Sequence, residues 1–294
     1  PMWHPLRLAE DYATADILTN GRVIFGVGRG YHTREVETFG SNITDQDANR
    51  EEFEEAVDII FKAFNNESFS HKGKYYTLPP EVPYRGYTLK DLTLVPRPKT
   101  LPVECWQPIQ GGTERALDFM AKHGIKGILG GGVAEGGVMD SIMTGYRDAL
   151  VRAGNKDAQL GEGLSVGFHY HLAPTVEQGI KEAKGFFEEN LKMFGPLRLH
   201  RGLTDEQIEI MGDPRRAPDG GLPNIEEAVE KKAFLTGPPE LIIEQLKGVE
   251  AEYPALERIG VSHPMGAPQN VITEQLEWFG KEVMPAFKGK AGPA

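Results

Sequence analysis

Apolar residues recur at helical spacing across positions 47–64. There Phe53, Ala56, Val57, Ile60, Phe61 and Phe64 form one stripe between acidic and polar neighbours. Similar spacing predicts helices over 6–18, 113–123, 138–153, 175–190, 239–251 and 270–287. Between them lie short runs rich in β-branched and aromatic residues, at 22–28, 102–107, 124–130, 165–172 and 257–262, which predict strands. Stop signals sit where helices should end: Asn20-Gly21, Gly124 and Gly154-Asn155. Strands that alternate with helices of this length predict βα units and a parallel α/β sheet. Two stretches break the rhythm. Residues 67–98 are aromatic and punctuated by proline, with Tyr75, Tyr76, Tyr84 and Tyr87, and residues 196–224 are polar and irregular. The second reads as an insertion. No linker divides the chain, so 1–294 is expected to be a single domain.

Composition narrows the class. The 294 residues carry a net charge of -11. An acidic chain is poorly matched to nucleic acid, whose phosphates need surplus Lys and Arg. It is equally poorly matched to an anionic membrane surface. No apolar run approaches the roughly 20 residues of a membrane span, and nothing reads as a signal peptide. Cys105 is the one cysteine, which rules out an internal disulfide and a cysteine-based metal cluster. A cytoplasmic location is the expectation.

The chemistry concentrates at the expected strand ends. The first predicted strand runs into Gly26-Val27-Gly28-Arg29-Gly30-Tyr31. Glycines there let backbone approach a bulky ligand, and Arg29 offers a cationic fork suited to phosphate. The spacing is not that of a dinucleotide-binding turn, so that fold gains no support. Gln110-Gly111-Gly112-Thr113 ends the second strand and opens a helix. Free N–H groups at such a terminus favour phosphate, while Thr113 also fits a plain N-cap. His169 and His171 alternate onto one strand face, but no Asp, Glu or Cys at fitting spacing joins them, so no metal site is expected. His171, nearer the strand's C-terminal end, is the better pocket candidate. His263 follows the last strand and fits either a site residue or a loop residue. Cys105 reads as buried packing. The four tyrosines either pack or line an apolar channel.

The ordered set His4-Pro5-Leu6-Arg7-Leu8-Ala9-Glu10, Asn20-Gly21-Arg22, the glycine-arginine run, Val95-Pro96-Arg97-Pro98, Gly237-Pro238-Pro239-Glu240 and Val283-Met284-Pro285-Ala286-Phe287 resembles the bacterial luciferase-like flavin monooxygenases. The resemblance implies a TIM (β/α)8 barrel with an insertion near its top. Five β runs then fall three short, which implies that the first three strands are absent from this chain and that the natural product is longer by roughly 70 residues. It also implies that Trp3, His4, Gly28, Arg29, Tyr31, Gln107, Gly111, Gly112, Thr113, Gly130, His171 and His263 face the pocket or its rim. Arg29 and the Gly111–Thr113 turn would hold the phosphate of FMN. His4, His171 and His263 would steer protons. Reduced FMN would come from a separate flavin reductase and, with O2, oxygenate a small organic substrate such as an aldehyde, sulfonate or ketone. A homodimer is the family expectation. Two alternatives stay open: an F420-dependent hydride transfer, and a subunit that does no chemistry.

Overall fold

The computed structural model describes residues 2–109, 112–130, 138–195, 203–211, 213, 215–216 and 220–287. The chain divides into two compact units, Pro1–Pro108 with Phe119–Lys126, and Ile109–Asp118 with Gly127–Ala294.

The first unit opens with α1 (Pro5–Leu18), where a proline in the first turn forfeits only an N–H that has no helical partner. Then come β1 (Phe25–Gly26), α2 (Thr33–Thr38) and α3 (Gln46–Asn65). The Asp45 carboxylate caps α3 by accepting from the Ala48 N–H at 3.0 Å. The apolar stripe of α3 faces the core as its spacing predicts: Phe53, Ala56, Val57, Ile60 and Phe64 are buried. Phe64 meets Tyr12 and Phe25 with ring centroids at 5.4 and 5.7 Å, so α1, α3 and β1 share one aromatic cluster. Such pairs add about 0.5–1.5 kcal/mol each beyond burial.

The strand expected over 22–28 forms a ladder only at Phe25–Gly26, pairing parallel with β6 (Cys105–Pro108). Its bonds run from the Phe25 N–H to the Glu104 carbonyl and from the Val27 N–H to the Trp106 carbonyl, each at 3.0 Å. An apolar run marks burial, whereas a ladder also needs a partner strand alongside. The 67–98 stretch contains two small antiparallel hairpins: β2 (His71–Lys72) with β3 (Thr77–Leu78), and β4 (Pro83–Tyr84) with β5 (Tyr87–Thr88). Tyr84 and Tyr87 are exposed, while Tyr75 and Tyr76 are half-buried.

Helix α4 (Glu114–His123) and strand β7 (Lys126–Leu129) each contribute residues to both units. The second unit continues with α5 (Val138–Arg152), β8 (Leu164–Leu172), α6 (Val176–Phe194), α7 (Asp205–Met211) and α8 (Ile225–Glu230). It ends with β9 (Phe234–Gly237), α9 (Pro239–Glu252), β10 (Arg258–Ser262) and α10 (Gln269–Trp278). β8 is the hub, pairing parallel with β7, β9 and β10. One face of it is Leu164, Val166, Phe168, Tyr170 and Leu172, all buried. The strand β9 is absent from the sequence reading: four residues, all buried, are too short to show a period. The helix expected over 270–287 stops at Trp278, passing through a π turn and then a 3-10 turn at Met284–Phe287. Pro285 lacks the N–H that an α-helix would use there.

Candidate active site

Arg29 stands just past β1, half-buried. One guanidinium nitrogen, Nη1, donates to Gln46 Oε1 and Asn49 Oδ1, both at 3.4 Å and both on the first turns of α3. Asn49 is buried, and its Nδ2 returns a bond to the Arg29 carbonyl at 3.4 Å. These partners are neutral amides, so they orient the cation without cancelling its charge. Burial, and then the neighbouring Arg50, pull the pKa of Arg29 below the usual guanidinium value, with Glu54 opposing. The guanidinium remains a cation and gains from meeting an anion. Asn49 was missed in the sequence, although a signal existed: it is a polar residue four positions before Phe53, on the apolar stripe.

The three glycines around Arg29 differ. Gly30 has φ +84° and a Cβ there would sit 2.4 Å from Val36 Cγ2, so the fold itself demands glycine. At Gly26 and Gly28 a Cβ would meet nothing within 4 Å. Tyr31 is exposed. Gln107, on β6, has a buried Oε1 without a hydrogen-bond partner. A buried acceptor in that state is the kind of group that a ligand satisfies.

His4 is the N-cap of α1. Its Nδ1 accepts from the Leu6 N–H at 3.3 Å, so the neutral ring carries its proton on Nε2. The ring stands perpendicular to Tyr76, with centroids 5.5 Å apart. His4 is therefore a hydrogen-bond donor in its neutral form, and Trp3 beside it is 58% exposed.

In the second unit, Gly112 and Thr113 lead into α4. Gly112 has φ +56°, and a Cβ there would sit 2.9 Å from Ile142 Cγ1. Thr113 is exposed, and its carbonyl accepts from the Leu117 N–H at 3.0 Å. Gly111 lies outside the described residues. Gly130 directly follows β7, with open space where a Cβ would go.

Among the described residues of this unit, three histidines fall toward the ends of β8 and β10. His171 is only 3% exposed, and its Nε2 lies 3.0 Å from Glu182 Oε2 on α6. That contact puts the imidazole proton on Nε2. The Gln178 amide and then His171 hold Glu182 below the usual carboxylate range. His169 shares its strand face but is more open, with Nδ1 3.2 Å from Ser262 Oγ. His263 packs on Tyr170 at 4.8 Å and edge-on to His171 at 5.8 Å. Burial, then His171 and His169, push the His263 pKa down to about 4. Both of its ring nitrogens, His171 Nδ1 and the Tyr170 hydroxyl are buried without hydrogen-bond partners. Among the described residues no group of three His, Cys, Asp or Glu side chains is placed to hold a metal ion. Among them, too, no helix is long and apolar enough to cross a membrane.

Comparison with known proteins adds the family. The family described as luciferase-like monooxygenase matches residues 1–254. The FMNH(2)-dependent dimethylsulfone monooxygenase of Pseudomonas fluorescens is 23% identical over 299 residues, 97% of this chain and 71% of that protein. The F420-dependent glucose-6-phosphate dehydrogenase of Microbacterium testaceum is 25% identical over 300 residues, 97% of this chain and 75% of that one. Among solved structures, the oxygenating constituent of 3,6-diketocamphane monooxygenase from Pseudomonas putida, in complex with FMN, superposes with a TM-score of 0.63 at 21% identity. That match covers 97% of this chain and 77% of the other. The fold is an α/β one of the luciferase-like TIM-barrel type.

Proposed function

The chain belongs to the luciferase-like monooxygenase family, and on that premise we propose that it is a cytoplasmic flavin-dependent monooxygenase that oxygenates a small organic substrate. The observation that carries the reading is Arg29, a half-buried cation held by neutral amides beside two glycines whose Cβ positions open onto free space. That is the arrangement a phosphate monoester with a bulky body requires. FMN, when bound in its reduced form, supplies the activation of O2 from which one oxygen atom passes to substrate.

The residues fit such a group. Arg29 would hold the phosphate. Gln107, whose buried Oε1 has no hydrogen-bond partner, would offer the flavin an acceptor. His4 donates from Nε2. His263, neutral across the physiological range, and His171, oriented by Glu182, serve as hydrogen-bonding groups in proton steering. A separate flavin reductase delivers reduced FMN, and the protein acts as a homodimer. The names of two relatives support the two-component reading, one as FMNH(2)-dependent and one as an oxygenating constituent.

The F420-dependent relative favours a second reading, hydride transfer with the deazaflavin. An anaerobic fluorescence titration with reduced FMN, oxidised FMN and F420 separates them. The proposal expects reduced FMN to bind tightest, with O2 uptake on admitting air. Preference for F420 without O2 uptake would replace it with the second reading. Failure to bind all three would leave a subunit without chemistry.

A further inference from the structure

Glu55, on α3, is unusually well supplied with donors for a carboxylate in an acid-rich helix. It accepts from the N–H of Lys74 at 3.0 Å, of Tyr75 at 3.0 Å and of Tyr76 at 2.9 Å. His71 Nε2 lies 3.0 Å from the same carboxylate, while His71 Nδ1 faces Lys62 Nζ at 3.1 Å. The lysine donates to Nδ1, so the imidazole proton faces Glu55. Burial acts to raise the Glu55 pKa, but the Tyr75 N–H, His71 and the Tyr76 and Lys74 N–H groups outweigh it and hold it below the usual carboxylate range. Gly73 closes the turn: a Cβ there would fall 2.2 Å from Glu55 Oε1. The Tyr75 hydroxyl adds a bond to the Ala48 carbonyl at 3.2 Å, about two turns before Glu55 on the helix that holds Arg29 through Asn49.

We propose that Glu55 is a positioning residue for the site at the end of β1: it seats Tyr76 against His4 and so fixes the His4 imidazole as an Nε2–H donor. The His4 ring has two restraints. Its Nδ1 is used by the α1 cap, and its ring plane is set by the perpendicular Tyr76 ring. Tyr76 in turn has its backbone pinned by Glu55. The Asn49 clamp on Arg29 and the Glu55 clamp on Tyr76 lie six residues apart on one helix, about 9 Å along its axis. One rigid element therefore references both the cation and the histidine donor. This inference rests on the reading that the β1 end holds the cofactor.

The test uses the full chain, labelled for detection of histidine ring signals by NMR, with Glu55→Gln, Glu55→Ala, Tyr76→Phe and Tyr76→Ala. Glu55→Ala is expected to displace the His4 ring resonances in the direction that Tyr76→Ala does, as the ring-current neighbour moves away. Tyr76→Phe should leave them in place. Glu55→Gln keeps an acceptor oxygen and should give a smaller displacement, so the test survives if the alanine variant fails to fold. Reduced FMN should bind Glu55→Ala about fivefold more weakly, the loss expected of one hydrogen bond. Unmoved His4 resonances in both Glu55 variants, or unchanged FMN binding when they move, would overturn the proposal. Displaced resonances in a protein whose wild type binds no flavin would uphold the seating of His4 and overturn the cofactor reading instead.

Discussion

Replacing Arg29 with methionine separates the role of its charge from the role of its bulk. Methionine keeps most of the side-chain volume and removes the guanidinium. What the fold loses is small, because the two bonds that Arg29 donates are long, at 3.4 Å each, and end on neutral amides. A stability change below about 1 kcal/mol is expected. What a bound phosphate loses is larger. A charge-assisted hydrogen bond contributes about 1.5–3 kcal/mol, which corresponds to a roughly 10- to 150-fold rise in Kd for reduced FMN. Arg29→Lys retains a cation without the planar fork and should fall between the two. The assay is an anaerobic fluorescence titration of each variant, paired with urea unfolding of the same samples. Rising ionic strength should weaken the wild type and leave Arg29→Met nearly unaffected. Equal Kd values for wild type and Arg29→Met would refute the reasoning. So would a loss of several kcal/mol in the unfolding experiment, because binding would then report a damaged fold rather than a missing charge.

Three further outcomes follow from the packing. The folded chain protonates His263 only near pH 4, whereas the unfolded chain does so near its ordinary value of 6.5. The neutral buried ring therefore contributes stability that is complete above about pH 6.5 and is lost as pH falls toward 4; His263→Phe should flatten that part of the stability profile in urea melts, and an unaltered profile would place the acid sensitivity elsewhere. Phe64→Ala empties the centre of the cluster with Tyr12 and Phe25 and should cost about 3–5 kcal/mol, read as a lowered urea midpoint at constant slope. Burial pushes the Cys105 thiol up to about 12, so a thiol reagent at neutral pH should label it only as fast as the protein opens. Rapid labelling of native protein would contradict its burial.

Much of the fold was legible because the longer helices and the hub strand carry their own periodicity. The stripe on α3, the strand β8 and the alternation of the two element types all rest on local patterns that tertiary packing reinforced. Short elements were not legible. The four buried residues of β9 have no period to detect, and the two-residue ladder of β1 depends on where β6 lies. The end of α10 was misread because periodicity continues past Trp278 while Pro285 forbids an α-helix to continue through it.

The candidate site divides the same way. Residue chemistry picked out Arg29, His171 and His263, since only certain side chains carry charge, forked donors or titratable rings, while Gln107 and His4 entered through the family resemblance. Contact partners came from the tertiary structure. It gave Arg29 neutral amides as hydrogen-bond partners, turned His4 into a donor by using its Nδ1 as a cap, and buried His171 while leaving His169 more open. It also brought Glu55 to three consecutive N–H groups about twenty residues away. The sequence by itself determined which groups this chain can offer and which periodic elements carry them. The tertiary structure alone decided which of those groups stay uncompensated, because solvation and hydrogen-bond pairing depend on neighbours that are distant in the chain.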